Sequence, residues 1–312
     1  MRAVTITEDR RLELVEIREP EPRTGEVVID VVSAGVNRAD LAQAAGQYPP
    51  PPGASPLPGL EVSGRRRDTG EDVVALLAGG GYAEVVAVPE VQILPAPAGL
   101  SLSDAGGLIE VAATVVSNLV IEGGMLEGDP PNVLIHGGNG GIGSFAIQFA
   151  HALGCHVLTS VGSDEAAAAA EGLGADIAWN RHSADVPQLV REAGGVDIIL
   201  DMVGGPALDE NVSMLRDSGR LLIIGTLGGA RGELNTGVLL RKRARVIGTA
   251  LRSRQPADKQ RILQRTHELV WPLLADGDLR LPIEAHVPLA EAARAHAILR
   301  AGGHLGKVIL DI

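Results

Sequence analysis

Glycines 138, 140 and 143, in the stretch VLIHGGNGGIGS (133–144), fit the spacing G-x-G-x-x-G. An apolar run of strand type leads into them, a helix is expected over about 141–153, and a second strand follows at 155–160 (CHVLTS). In that βαβ setting Gly138 serves the tight turn, Gly140 lets backbone approach a pyrophosphate, and Gly143 lets the helix pack closely. Gly141 and Ile142 open the helix, where free N–H groups and the positive end of the dipole attract an anion without a cationic side chain. The chemistry expected here is dinucleotide binding.

The end of the second strand decides which dinucleotide. An NAD site usually carries an Asp or Glu there, ~20 residues beyond the first glycine, to accept from the ribose 2′-OH. Here the segment is LTSVGS, and no acid precedes Asp164. Ser160, Gly162 and Ser163 leave room for a 2′-phosphate. Arg181, just past the third strand, is either a bidentate phosphate partner or an ordinary surface charge.

These residues need a scaffold. Strands are expected at 133–136, 155–160, 176–179, 197–201, 220–225 and 245–250, with helices between them, one containing the alanine run 166–170. Six alternating strands predict an α/β architecture with a six-stranded, doubly wound parallel (Rossmann) sheet. Before it, residues 1–10, 12–17, 27–32, 71–77 and 82–88 read as strands of a β domain, with a short helix at 38–45. The Pro-rich loop 48–59 is irregular, because proline removes donors and restricts its neighbour. An Ala-rich helical segment runs from 103 to about 121. The tail, with a helix at 289–301 and the strand KVILDI (307–312), is expected to return to the first domain. The expected division is 1–116 with 281–312, and 117–280.

Composition narrows the function classes. A chain of 312 residues, 45% apolar and 21% charged, fits two globular domains. No apolar run approaches the ~20 residues that span a bilayer, and no signal-peptide pattern opens the chain, so a soluble cytoplasmic protein with no membrane partner is expected. A net charge of −12 and six aromatic residues disfavour a nucleic-acid partner. The single Cys155 excludes an internal disulfide or a Cys-rich metal site. His136 reads as a hydrogen-bonded core residue, while His151, His156 and His182 lack triad or metal spacing.

With GVNRADL (35–41), GQYPPPPGAS (46–55), GLEVSG (59–64), LLAGGGYAE (76–84) and LRSR (251–254) added to the glycine turn, the chain resembles the zinc-independent quinone oxidoreductases, the zeta-crystallin-type branch of the medium-chain dehydrogenases/reductases. The resemblance implies a GroES-like catalytic domain beside the Rossmann domain, NADPH as hydride donor, and quinones or related conjugated carbonyls as acceptors. Zinc-dependent relatives place a His in G-H-E-x-x-G and a Cys before it. Those positions are Leu60 and Asn37 here, and neither is a zinc ligand, so no metal is expected.

The resemblance also assigns residues. Tyr48 matches a tyrosine of the substrate and cofactor cleft, where it either donates a proton or is a simple contact. Asn37, a candidate catalytic residue with Tyr48, and Thr114 match positions at the nicotinamide end, and Gly225, Thr226, Ala250, Leu251 and Arg252 match cofactor-lining positions. Asp40 reads as a helix-start residue. Many relatives carry a Lys where Ala166 stands and a Tyr where Arg181 stands. Arg252 and Arg254 rival Arg181 as the phosphate partner. The family also implies a homodimer, with 245–251 as the candidate edge. An enone or other double-bond reductase, or a nucleotide-binding protein with little turnover, are the alternative functions.

Overall fold

Alternating strand and helix signals across 132–248 form one sheet in the computed structural model, which describes residues 1–312. Its strands are Asn132–His136, His156–Val161, Ile177–Asn180, Val196–Asp201, Leu215–Ile223 and Arg245–Gly248. All neighbours are parallel, and numbered along the chain they lie in the order 3-2-1-4-5-6. This is the doubly wound Rossmann order, and the strand order reverses beside Asn132–His136. The strands read as apolar runs because helices cover both faces of a parallel sheet. Leu134, Leu158, Ile199 and Leu221 pack with Val190 and Val212 in the resulting core, each contributing about 1.5–3 kcal/mol by burial.

The other unit is built on a mixed seven-stranded sheet. Its central strand Glu26–Val36 pairs antiparallel with Glu61–Arg66, with Val85–Pro89 and with the C-terminal strand Lys307–Asp311. Val308 lies opposite Val36 and Ile309 opposite Gly35, so the tail of the chain joins the sheet of its beginning. Ile29, Val62, Val86, Val308 and Leu310 belong to its core.

By internal packing the two units are 1–113 with 251–277 and 281–312, and 114–250 with 278–280. Residues 251–277, grouped with 117–280 on sequence, pack with the first unit instead. The long helix Pro256–Asp276 lies there against the turn Glu90–Gln92 and the strand Ile93–Pro95, and its Trp271 donates to the Pro95 carbonyl at 3.0 Å.

Two further differences have local causes. The expected helix 103–121 is broken into Leu102–Ala105 and Ile109–Val115, the second continuing as a π-turn over Val116–Glu122. The first piece is capped by Gly106, which packs so closely on Ser33 that a Cβ there would overlap it. The strand Glu61–Arg66 has no counterpart among the expected elements: Gly64 and two arginines interrupt its apolar pattern, yet Val62 and Ser63 are fully buried. No helix is long and apolar enough to cross a membrane.

Candidate functional site

In the Rossmann unit the first strand ends at His136, and the chain turns at Gly137, whose φ is +71°. The positive-φ glycine of the turn is therefore Gly137, not Gly138. Gly138 is required for a different reason: a Cβ there would overlap the Thr159 hydroxyl of the next strand. Gly143 must also lack a side chain, because its Cβ would run into the Gly137 carbonyl. Gly140 is not constrained by packing, since a Cβ there would meet only the Gly137 oxygen at 3.6 Å. It caps the helix Gly141–Ala152 without a side-chain hydrogen bond. The first N–H groups of that helix, at Gly141 and Ile142, thus face an uncapped turn with an open backbone surface, which fits a pyrophosphate.

The second strand ends beside this turn. Ser160 is buried, and its hydroxyl meets His136 Nδ1 at 2.7 Å. His136 Nε2 lies 2.8 Å from Asn211 Oδ1. Burial holds the His136 imidazole below its ordinary pKa, so the neutral ring donates from Nε2 to Asn211 and accepts from Ser160. Ser163 Oγ accepts from the Ala166 N–H at 3.1 Å and caps the helix Asp164–Gly172. Both serine oxygens are thereby engaged within the chain. Arg181 lies across Gly162, its guanidinium nitrogens 3.2–3.3 Å from where a Cβ of Gly162 would stand. Its side chain makes no hydrogen bond or ion pair, so all its donors remain available. Gly225 and Thr226 follow the fifth strand, backed by Gly204. Thr114 is buried, and Ala250 is exposed just beyond the sixth strand.

In the other unit, Asn37 precedes the helix Arg38–Ala44. Its backbone N–H donates to Asp40 Oδ2 at 2.8 Å, and Asp40 Oδ1 accepts from Gly59 N at 2.9 Å. Asp40 therefore holds the helix start and the loop end together. Its burial pushes the carboxyl up to about 6, against the hydrogen bonds that favour its charged form. The Tyr82 hydroxyl bridges Asp40 (3.2 Å) and His296 Nε2 (3.1 Å). The Asn37 side chain meets Glu61 and Lys307: Nδ2 donates to Glu61 Oε1 at 2.9 Å, and Oδ1 accepts from Lys307 Nζ at 2.6 Å. Neither Glu61 nor Lys307 stands out on sequence. The available signal was a lysine opening an otherwise apolar strand and a glutamate inside GLEVSG.

Tyr48 is brought to Arg252, whose guanidinium carbon lies 5.2 Å from the ring centre. Arg252 also donates to the carbonyls of Ala78 (2.8 Å) and Tyr48 (3.2 Å) and to Gln43 Oε1 (2.7 Å). These contacts take three of the five guanidinium donors and hold a buried side chain, whereas Arg181 is exposed. Leu251 is half-buried beside it. The Tyr48 hydroxyl has no hydrogen-bond partner within the chain, and burial raises its pKa above the ordinary phenol value.

At the metal-ligand positions of the zinc-dependent relatives stand Asn37 and the buried Leu60. No group of three or more His, Cys, Asp or Glu side chains is arranged to hold a metal ion.

Residues 141–268 match the family described as zinc-binding dehydrogenase, a segment that contains neither Asn37 nor Leu60. The quinone oxidoreductase of Rattus norvegicus is 29% identical, over 99% of this chain and 97% of that protein. The crystal structure of the quinone oxidoreductase from Thermus thermophilus, also solved with NADPH, superposes with a TM-score of 0.86 at 31% identity, covering 100% of both chains. The Escherichia coli quinone oxidoreductase complexed with NADPH gives a TM-score of 0.87 at 25% identity, over 100% of this chain and 99% of that one. The chain belongs to the quinone oxidoreductase-type family of the medium-chain dehydrogenases/reductases.

Proposed function

We propose that this protein is an NADPH-dependent oxidoreductase that delivers hydride to quinones without a metal. The observation that carries the reading is Tyr48: a half-buried phenol fixed from behind by Arg252, with its O–H unspent. Bound NADPH supplies a hydride. A quinone that accepts it becomes a hydroquinone monoanion, and one proton completes the reduction. The Tyr48 hydroxyl donates a hydrogen bond to the acceptor oxygen as charge develops there, and this bond strengthens toward the transition state. The same phenol is the proton source, replenished from water. Quinones suit a site that activates by hydrogen bonding alone, since their own conjugation receives the charge.

On the cofactor side, the open turn at Gly140 and the uncapped helix after it support the pyrophosphate, and Arg181 supports the 2′-phosphate. A dimer belongs to this reading, formed through the edge strand Arg245–Gly248, where Val246 is 36% exposed and Leu240 of the preceding helix Thr236–Lys242 is 78% exposed. So does a cytoplasmic location. Following NADPH absorbance with 1,4-benzoquinone, larger quinones and an enone panel tests the function. Oxidation with quinones supports it, oxidation with enones alone makes the protein a double-bond reductase, and no oxidation with any acceptor makes it a nucleotide-binding protein.

A further inference from the structure

Lys259 and Arg252, both in the unit that holds Tyr48, are buried cations without an acid. Lys259 is 3% exposed and Arg252 5%, and neither forms an ion pair within the chain. The Lys259 ammonium makes no hydrogen bond either, so all its donors are unspent. Arg252 donates only to neutral oxygens, those of Ala78, Tyr48 and Gln43, and keeps its remaining N–H groups. The two charges also oppose each other: after burial, the Arg252 charge is what lowers the Lys259 pKa, to about 8. At neutral pH both are charged.

The acids around them are engaged elsewhere. Asp258, next to Lys259 in the helix Pro256–Asp276, faces Arg261 at 3.6 Å. Glu90, on the turn against which that helix packs, pairs with Arg66 at 3.0 Å. Asp40 acts on Arg252 through space, but its oxygens accept from the Asn37 and Gly59 N–H groups and from Tyr82. Lys259 also lies in the first helical turn, where the positive end of the dipole disfavours a cation. Buried charges are as a rule paired or bound to a ligand, because an unpaired one bears the full penalty of desolvation. Nothing in the fold offsets that penalty here.

We propose, building on the function above, that Lys259 and Arg252 form a subsite for an anionic substituent of the hydride acceptor, so that quinones bearing a carboxylate or sulfonate are the favoured substrates. Arg252 lies against the Tyr48 ring, which puts the cation pair beside the group that meets the acceptor oxygen. The anionic groups of the cofactor have other partners in that reading, the helix after Gly140 and Arg181. The anion that these cations lack therefore belongs to the acceptor. Away from water, its contacts to them are strengthened.

Steady-state kinetics with NADPH read the selectivity, the ratio of kcat/KM for 1,4-naphthoquinone-2-sulfonate to that for 1,4-naphthoquinone. The electronic effect of the sulfonate is common to every variant and cancels between them. Lys259→Met should lower the ratio about ten- to a hundredfold, the weight of a charge-assisted hydrogen bond, and Lys259→Arg should restore most of it. An unchanged ratio in folded Lys259→Met overturns the proposal. So does an equal loss of NADPH affinity in that variant, which would give the cations to the cofactor. The unmodified protein supplies a second test that needs neither a variant nor turnover. The redox-inert 2-naphthoate should bind at least about tenfold more tightly than its neutral analogue 2-naphthamide. At about pH 8.5 its binding should take up a proton, because a carboxylate raises the pKa of an adjacent ammonium, and this uptake should fade toward pH 7. Calorimetry in buffers of different ionisation enthalpy measures it. Equal affinity for acid and amide, or no proton uptake, overturns the proposal. Proton-linked binding of naphthoate with no reduction of either quinone would instead overturn the function on which the proposal rests.

Discussion

The Arg252 guanidinium stacks on the Tyr48 ring while its three nitrogens hold the Ala78 and Tyr48 carbonyls and Gln43. One cation therefore fixes both the ring and the backbone of the tyrosine, and the loop 48–59 around it has no regular hydrogen bonding to do so. Cation–π contact of this kind is worth about 0.5–2 kcal/mol, and charge-assisted hydrogen bonds add to it.

Replacing the phenol separates position from proton. Tyr48→Phe keeps the ring under Arg252 and removes only the hydroxyl. We expect kcat with benzoquinone to fall about ten- to a hundredfold, within the range of a lost general acid, with NADPH affinity and melting temperature little changed. Stopped-flow NADPH oxidation checks this. An unchanged kcat would assign the proton to water.

The second expectation concerns metal. Leu60 and Asn37 stand where ligands would be required, and Asn37 is already bound on both ends of its amide. Dialysis against a strong chelator should leave quinone reduction unchanged. Loss of activity that zinc restores would contradict the metal-free reaction.

Much of this architecture was legible because it repeats. Six apolar segments separated by helical stretches have few solutions other than a doubly wound sheet, and the glycine spacing marks its first crossover. The role of a single glycine was less legible. Gly137 and Gly138 adjoin, and only the approach of Thr159 shows that Gly138 is held by packing while its neighbour makes the turn. The Lys307–Glu61 pair was invisible because its residues, 246 apart in sequence, open the two strands Lys307–Asp311 and Glu61–Arg66 that flank Glu26–Val36, and no local pattern encodes a contact across that strand. Arg252 was recognisable by motif, but its direction depends on the loops it ties.

Lys259 gives a pH-dependent prediction. It lies in the first turn of the helix Pro256–Asp276, 3% exposed, its backbone N–H donating to Gln255 and its ammonium making no hydrogen bond or ion pair within the chain. Burial, with the nearby Arg252 charge, lowers its pKa to about 8. The folded value lies below the unfolded one, so the unfolded chain binds more protons between about pH 8 and 10.4, and stability rises with pH across that window. Below it the full cost of the buried charge is present. Lys259→Met should therefore stabilise the protein at pH 7 by about 1–3 kcal/mol, with the gain fading toward pH 10. Melting curves at both pH values check the sign. Destabilisation at pH 7 would mean that the ammonium is favourably held.

Cofactor preference turns on Arg181. The segment LTSVGS offers no carboxylate to receive a ribose 2′-OH or to repel a 2′-phosphate; the Ser160 hydroxyl meets His136, and Ser163 caps a helix as an acceptor while keeping its own O–H to donate. Across Gly162 lies a guanidinium with every donor unspent. Arg252, by contrast, is buried and already donates to Tyr48, Ala78 and Gln43. NADPH should accordingly bind more tightly than NADH. Arg181→Ala should remove one charge-assisted phosphate contact, about 1.5–3 kcal/mol or roughly ten- to a hundredfold in NADPH affinity, while hardly changing NADH. Calorimetric titration of both cofactors into Arg181→Ala and Arg254→Ala decides the residue. Equal affinities in the unmodified protein would remove the premise, and a selective loss in Arg254→Ala alone would keep the preference and move the phosphate partner to Arg254.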